Sequence, residues 1–327
     1  MTFHRLIPAL MLAAGLQLAS PAAAQENPAN YPSKPIQLIV PYGPGGSPDV
    51  LARLLSQGLS DRLKQPMVVM NRPGATGLVG SQAMARSAAD GYTLAYISAA
   101  TLIAQVMSPK PVVNLGVEAT IAAAPFTQYT VLLVQPSDSV RNVKDLIQYL
   151  KARPGKANFS SGGTGTPAHL AGELFQRTLG LGVTHVPYKQ LTDALLDVMR
   201  GEVQYIFSIG GSAVPLVKSG KLRALAVAAP KRLAVLPDVP TMKEAAGIDI
   251  DVSTWNAVIA PAATPAPLLQ KLHRVVYEVI ADPKHRKGFE ALGVEIVDIP
   301  YNKTSEMLRS ETVRWASFVK EANIKQD

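Results

Sequence analysis

The sequence contains no cysteine. Disulfide bonds, thiol catalysis and cysteine-based metal sites are therefore excluded, and so is a lipid anchor on an N-terminal cysteine. Charged residues are also scarce, at 17% of the chain, whereas 47% of the residues are hydrophobic. This composition is typical of a folded globular protein rather than a disordered one. The formal net charge of +8 suits an anionic ligand, but the basic residues are scattered, and a solvated basic surface is the simpler interpretation.

The sequence also lacks the motifs of several classes of enzyme. Its five histidines form no H-x-x-H or H-E-x-x-H pair, so no metal site is predicted. No G-x-S-x-G motif is present, which removes the nucleophile elbow of an α/β-hydrolase. The glycine-rich segments lack the lysine of a P-loop and the spacing of a dinucleotide fingerprint. We therefore expect no cofactor and, without a stripe of aromatic and basic residues, no nucleic-acid partner.

The long apolar run of this sequence lies at the N-terminus. Residues 1–5 are a short basic start, residues 6–19 are mostly apolar, and Ala22–Ala24 form an A-x-A cleavage signal. The run is short for a membrane span, and no second long apolar run follows. The pattern predicts a signal peptide, residues 1–24, that is cleaved after Ala24 and leaves an exported protein beginning at Gln25.

The mature chain is organised around residues 36–53. An apolar run predicts a buried strand, which ends in a loop with almost no side chains, Pro41–Gly46. A helix is then predicted, with Ser47 as its N-cap, Pro48 at the first helical position and Asp49 in the first turn. Such a loop leaves backbone N–H groups at the positive end of a helix, an arrangement that attracts anions.

The same layout of strand, small-residue loop and helix start occurs four times. The four loops are residues 41–47, 71–77, 161–166 and 208–212. Repeated β-loop-α units predict parallel sheets with ligands bound at the carboxyl ends of the strands. Crossings of the chain near residues 127 and 253 would place two loops on each wall of a cleft. We therefore predict one lobe formed by residues 25–127 and 253–327 and a second lobe formed by residues 128–252.

A catalytic alternative is left open by Ser161 and His169. These side chains could serve an exported serine hydrolase, although the helix that is predicted to start between them directs His169 elsewhere. Turnover of generic esters that disappears in His169→Ala would favour this alternative. Without a nucleophile elbow, catalysis is the weaker prediction.

Some aromatic and basic residues are candidates for the wall of a pocket. Trp255 is expected in the core, whereas the loop positions of Tyr42 and Tyr188 favour contact with a ligand. Arg72 and Lys189 are equally compatible with pairing to a second carboxylate and with simple exposure to water.

Further stretches carry glycine, proline and aromatic residues in a fixed order along the chain. They are residues 35–49, 71–77 with Gly80, 90–94, 160–169, 185–189, 220–227, 236–241, Trp255 and 260–265. With these stretches, which span nearly the whole mature chain, the sequence resembles the extracytoplasmic solute receptors of the tripartite tricarboxylate transporter family, the Bug or TctC-type proteins.

The resemblance implies an α/β, two-lobe periplasmic binding protein fold of a type II-like kind. Each lobe would be a mixed, mainly parallel sheet flanked by helices, and two hinge crossovers would join the lobes. It also implies a periplasmic, non-enzymatic receptor that closes on a small organic carboxylate and delivers it to membrane subunits of a tripartite tricarboxylate transporter. A binding protein that serves a sensor is the alternative. We expect a monomer.

The resemblance further implies a set of ligand-binding residues. They are Tyr42, Gly45, Gly46 and Ser47 in the first loop, Gly163, Thr164, Gly165 and Thr166 in the loop of the other lobe, and Ala75, Thr76, Tyr188, Lys189 and Ser208 along the cleft. The chain departs from the family pattern at Gln190, where glycine is usual, and at Ser208, where aspartate is usual. Loss of that negative charge favours a second carboxylate at the distal end of the ligand. A dicarboxylate, an aromatic acid, an amino acid and a nicotinate-like compound all remain open as ligands.

Overall fold

A computed structural model describes residues 30–137, 139–250 and 252–321. The predicted signal peptide and its cleavage site lie outside the described residues. Within these ranges, none of the helices combines the length and the apolar composition that a membrane span requires.

The described residues form alternating strands and helices. The strands are β1 (Ile36–Val40), β2 (Met67–Asn71), β3 (Thr93–Ser98), β4 (Ala119–Val134), β5 (Asn158–Ser161), β6 (Thr184–Pro187), β7 (Tyr205–Ile209), β8 (Arg223–Ala228), β9 (Ser253–Pro261) and β10 (Val294–Ile296). The α-helices are α1 (Ser47–Leu63), α2 (Leu78–Ala85), α3 (Ala99–Met107), α4 (Leu115–Glu118), α5 (Val143–Lys151), α6 (Pro167–Leu179), α7 (Leu191–Arg200), α8 (Gly210–Lys218), α9 (Met242–Ala246), α10 (Ala266–Ala281), α11 (Pro283–Glu290) and α12 (Thr304–Glu321). Short 3-10 helices cover Ala75–Gly77 and Tyr301–Lys303.

The strands follow the order β2-β1-β3-β9-β4-β7-β5-β6. Strands β1, β2 and β3 pair in parallel, and so do β5, β6 and β7. The central strands β4 and β9 pair antiparallel with each other and with their neighbours, and β8 and β10 add to β4. The result is the predicted mixed α/β fold, in which parallel pairing is confined to the two outer groups of strands.

Strand β4 connects the two halves of the sheet. Its first part pairs with β9 as far as Tyr129 and Ser253, and from Thr130 onward it pairs with β7 and β8. The strand is apolar and largely buried along its whole length, which is typical of a strand that is covered on both faces. The change of partner lies close to the predicted crossings near residues 127 and 253, and the assignment of residues to lobes stays a prediction.

Helix α12 forms a hydrogen bond to β9 and so connects the C-terminal part of the chain to this central region. Trp255, on β9, is 5% exposed, which confirms its predicted place in the core. Its indole N–H donates to the carboxylate of Glu311 at 2.9 Å, and the buried Trp315 donates to the same oxygen at 3.0 Å. One half-buried carboxylate therefore satisfies two indole donors that would otherwise lose their hydrogen bonds on burial.

The start of α1 differs from the prediction. The helix begins at Ser47 and its N-cap is Gly46, so the prediction that Ser47 caps the helix is wrong. The Ser47 hydroxyl instead donates to Oε1 of Gln128 on β4 at 2.6 Å. Gly211 makes room for this packing, because a Cβ atom there would lie 2.2 Å from Oγ of Ser47.

The fourth predicted loop is also corrected by the structure. Residues 208 and 209 end β7, and α8 begins directly at Gly210. The glycine pair that suggested a loop lies inside the first turn of the helix, where Gly210 packs closely against the backbone of residues 292 and 293 and Gly211 against the side chain of Ser47.

Candidate functional site

A cavity of about 900 Å³ lies where the carboxyl ends of the parallel strands from both halves of the sheet meet. It is lined by segments that follow β1, β2 and β3 on one side and β5, β6 and β7 on the other. The lining residues are 41–44, 46, 48, 73–77, 98, 100, 162, 163, 166–168, 187–192, 209 and 254. This position agrees with the rule that ligands of open α/β sheets bind at the carboxyl ends of the strands.

The structure brings most of the predicted site residues to this cavity. Those that line it are Tyr42, Gly46, Ala75, Thr76, Gly163, Thr166, Tyr188 and Lys189. Those that do not line it are Gly45, Ser47, Thr164, Gly165 and Ser208.

Ser208 illustrates why a predicted residue misses the cavity. Successive side chains of a strand point to opposite faces, and Ser208 on β7 is fully buried opposite Val131. Its neighbour Ile209 lines the cavity instead. Ser208 therefore does not contact the space in which a ligand would lie. The prediction that its missing charge favours a second carboxylate has no direct contact to support it.

Several helices begin at the cavity. The lining includes Gly46 before α1, Ser98 before α3, Thr166 before α6 and Gln190 before α7. Helix N-termini carry partial positive charge and unpaired N–H groups, so their convergence favours an anion. Among the described residues that line the cavity, Lys189 is the only charged side chain.

A buried carboxylate holds the first glycine loop in place. Asp49, in the first turn of α1, is 3% exposed and accepts hydrogen bonds from the N–H of Gly45 at 3.0 Å, from Nδ2 of Asn71 at 2.8 Å and from Nε of Arg53 at 3.0 Å. The same Nδ2 atom of Asn71 donates to the carbonyl of Tyr42 at 3.1 Å. The network connects the loops after β1 and β2, and Asp49 therefore supports the cavity wall without lining it.

This network also sets the charge state of Asp49. Burial alone would raise the pKa of the carboxyl group, but the hydrogen bonds from Arg53, Gly45 and Asn71, together with the charge of Arg53, outweigh burial and lower that pKa. The group is therefore ionised at neutral pH.

Tyr42 connects the first loop to α3. Its hydroxyl accepts a hydrogen bond from the N–H of Ser98 at 2.9 Å and forms hydroxyl contacts with Ser98 at 2.9 Å and Thr101 at 2.6 Å. Burial raises the pKa of this phenol although these hydrogen bonds act in the opposite direction. Ser98 and Ala100 were not predicted as site residues. The signal for them is the run of small residues at the end of β3, where α3 begins directly at Ala99.

Two predicted site residues have strained backbones. Ala75 has φ of 45° and Thr76 has φ of 50°, within the left-handed region that residues with a side chain rarely adopt. Such residues cost about 1–3 kcal/mol each and occur preferentially at functional sites. Both line the cavity, so the strain coincides with the candidate site.

The loop after β5 uses most of its N–H groups internally. The N–H of Gly163 donates to Oγ of Ser161 at 3.1 Å, that of Gly165 to Nδ1 of His169 at 3.1 Å, and that of Thr166 to the carbonyl of Gly163. The Thr166 hydroxyl accepts from the N–H of His169, so Thr166 is the N-cap of α6, as predicted. Ala168, in the first turn after Pro167, retains an N–H group that has no acceptor within the helix.

These contacts weigh against the hydrolase alternative. Ser161 is fully buried, does not line the cavity, and pairs with Nε2 of His185 at 2.7 Å. The ring of His169 accepts from the Gly165 N–H and stacks on His185 with a centroid distance of 4.1 Å. Ser161 and His169, the candidate nucleophile and base, therefore accept hydrogen bonds from the loop after β5 and do not line the cavity.

The segment after β6 forms the wall opposite the first loop. The hydroxyl of Tyr188 donates to Oδ2 of Asp197 on α7 at 2.6 Å, and this hydrogen bond to a carboxylate is the main cause that raises the pKa of Tyr188 to about 12. The bond fixes the segment against α7, with Lys189 and Gln190 at the cavity. Thr192 lines the cavity from the same helix.

Comparisons with known proteins agree with this geometry. The model of the tripartite tricarboxylate transporter family receptor, TctC, matches residues 51–324. The protein BugT of Bordetella pertussis is 36% identical over 310 residues, which cover 94% of each chain. The chain belongs to this receptor family.

Solved structures of similar proteins show the same fold. The periplasmic binding protein BugD matches with 27% identity and a TM-score of 0.85, over 91% of this chain and all of that one. The R. palustris protein Rpa4515, solved with adipate, matches with 28% identity and a TM-score of 0.86 over the same shares. The two-lobe periplasmic binding protein fold is therefore confirmed, and the family is one of receptors rather than enzymes.

Proposed function

We propose that this chain binds a small organic carboxylate in the cavity and delivers it to the membrane subunits of a tripartite tricarboxylate-type transporter. Membership of the receptor family supports the delivery role, and the relative that was solved with adipate supports the ligand class. The observation that carries the proposal is the convergence of the N-termini of α1, α3, α6 and α7 on one cavity whose only charged lining side chain, among the described residues, is that of Lys189.

The hydrogen-bond donors for the carboxylate would come from both walls. On one side, the N-terminus of α1 offers the N–H group of its N-cap residue Gly46, which lines the cavity, whereas the N–H of Gly45 is engaged by Asp49. On the other side, the N–H of Ala168 is available while most of its loop is internally bonded. Tyr42, Ala75, Thr76, Gly163, Thr166, Tyr188 and Lys189 would complete the enclosure.

Ligand binding would be coupled to closure of the lobes. The chain passes between the two halves of the sheet at β4 and at β9, where Tyr129 pairs with Ser253. Bending at these two strands would open the cavity to solvent, and a ligand that contacts both walls would favour the closed state. The proposed lobes are residues 25–127 with 253–327, and residues 128–252. The mature protein would act as a periplasmic monomer.

A thermal-shift screen of the purified mature protein tests the binding step. An acid at one hundred times its dissociation constant should add about 2.7 kcal/mol to the free energy of unfolding. For a chain of about 300 residues, with an unfolding entropy of about 2.1 cal/mol/K per residue, that corresponds to an increase in Tm of about 4 °C. Adipamide, which has the length of adipate without its charges, serves as the control. Stabilisation by adipamide equal to that by adipate, or no stabilisation by any carboxylate, would contradict the proposal.

Delivery requires a separate measurement in cells. Deletion of this chain should abolish uptake of the acid that stabilises the purified protein, and expression of the mature chain in the periplasm should restore uptake. Uptake that continues unchanged in the deletion strain would argue against the transport role while leaving the binding role intact.

A further inference from the structure

The side chain of Gln190 does not cap the helix that it precedes. Gln190 is the N-cap residue of α7, yet its side chain forms no capping hydrogen bond. Glutamine is not among the residues that usually cap helices, because those have shorter side chains. The longer side chain extends into the cleft, and Gln190 lines the cavity beside Lys189.

The amide group of Gln190 lies directly against the first glycine loop on the opposite wall. A Cβ atom on Gly43 would lie 1.9 Å from Oε1, 2.7 Å from Cδ and 2.9 Å from Nε2 of Gln190. The absence of a side chain at Gly43 therefore makes room for this amide. Gln190 is thus a residue of one wall that reaches the other wall across the cavity.

The amide has hydrogen-bonding capacity to offer a ligand. A glutamine side chain carries two N–H donors and one carbonyl acceptor. Among residues 30–137, 139–250 and 252–321, no side-chain hydrogen bond of Gln190 is formed, and the residue is partly exposed. Lys189, the preceding residue, lines the same cavity, and no carboxylate side chain lines the cavity in the described part of the chain.

We propose that Gln190, across from Gly43, is the residue that selects the distal end of the ligand, and that it selects a second carboxylate over a methyl group or an ammonium group. The proposal rests on the proposed function, because it assumes that the first carboxylate is held by the loops. An anionic distal group accepts hydrogen bonds from the amide and is attracted by Lys189. A cationic distal group meets Lys189 and no opposite charge, and a methyl group leaves the amide without a partner.

Calorimetric titrations of matched acids test the proposal. The dicarboxylates succinate, glutarate and adipate are compared with the monocarboxylates of equal length, butyrate, pentanoate and hexanoate, and with 6-aminohexanoate. We expect the wild-type protein to prefer at least one dicarboxylate over its matched monocarboxylate by about tenfold or more. In Gln190→Ala, that preference should fall by about tenfold, with little change for the monocarboxylate. In Gln190→Glu, the preference should reverse in favour of 6-aminohexanoate.

Gly43 supplies a second, independent variant. Its φ lies outside the left-handed region, so alanine is compatible with the backbone there, and the added methyl group must displace the flexible amide. Gly43→Ala should therefore lower the preference for dicarboxylates as Gln190→Ala does, and the double variant should lose no more than either single variant. Gln148→Ala, on the exposed face of α5, is the matched control and should leave all affinities unchanged.

The outcomes separate this inference from the proposed function. If no acid of the series binds the wild-type protein, both fail. If acids bind but mono- and dicarboxylates bind equally, or if Gln190→Ala leaves their ratio unchanged, the role of Gln190 is refuted and the carboxylate receptor stands. Additive effects of Gly43→Ala and Gln190→Ala would show that the two residues act separately, which also refutes the inference.

Discussion

Removal of the charge of Asp49 should weaken both the fold and the ligand site. In Asp49→Asn, one acceptor remains for the N–H of Gly45, but the ion pair with Arg53 and the charge on the hydrogen bond from Asn71 are lost. Arg53 is half exposed and can be hydrated, so its own loss is modest. We expect the free energy of unfolding to fall by about 1–2 kcal/mol in Asp49→Asn and by about 3 kcal/mol in Asp49→Ala, which removes every acceptor.

The stabilising effect of Asp49 should depend on pH, which provides a more specific test of this prediction. The pKa of Asp49 is lowered in the folded protein, so the unfolded chain takes up the proton at higher pH. The stabilisation by the ionised group is therefore complete above the unfolded pKa of about 3.9 and is lost as the pH falls through the folded pKa. The difference between wild type and Asp49→Asn should be constant from about pH 7 to pH 5 and should shrink toward about pH 3.

Urea unfolding followed by tryptophan fluorescence or circular dichroism measures these free energies. Asp238→Asn is the control, because Asp238 is exposed. Acid binding by Asp49→Asn should also weaken, by about tenfold, because the loop that holds Gly45 is less well fixed. A difference that does not change with pH, or a variant as stable as wild type, would refute the reasoning.

Three further substitutions test other parts of the structure. Tyr42→Phe removes the hydrogen bonds of the hydroxyl group to Ser98 and Thr101. It should lower the free energy of unfolding by about 1–2 kcal/mol and weaken acid binding. An unchanged affinity in calorimetry would count against a connection between this contact and the site. Thr166→Ala removes the cap of α6 and should lower the free energy of unfolding, measured in urea, by about 1 kcal/mol. Thr166→Ser keeps a capping hydroxyl and should retain most of that stability. An equal loss in both variants would argue against capping. Glu311→Ala leaves the indoles of Trp255 and Trp315 without their acceptor. The free energy of unfolding should fall by about 2–3 kcal/mol, and tryptophan fluorescence should shift. A loss of acid binding without a loss of stability would contradict the structural role of Glu311.

The sequence predicted the parts of the site that depend on local structure. A strand, a loop of small residues and a helix start are adjacent in the chain, so β1 with α1 and β5 with α6 could be recognised from their order alone. The rule that ligands bind at the carboxyl ends of parallel strands then placed their loops together. Residues 98–101 also carry small side chains between a strand and a helix, but they contain no glycine, and α3 begins at Ala99 without an intervening loop.

The parts that depend on register and on contacts between distant segments could not be predicted. A shift of one residue along β7 exchanges Ser208 for Ile209 at the cavity, and the glycines after it gave no sign that α8 begins at once. The contact of Gln190 with Gly43 joins segments that are far apart in the chain. Nor did the sequence show that Ser161 pairs with His185, which requires the pairing of β5 with β6.

A crystal structure of the mature protein with a bound carboxylate would test the central claim most directly. We predict that a carboxylate group of the ligand lies within hydrogen-bonding distance of the N–H groups of Gly46, before α1, and of Ala168, in the first turn of α6, inside the cavity that Lys189 also lines. An acid bound against one wall only, or outside this cavity, would contradict the account.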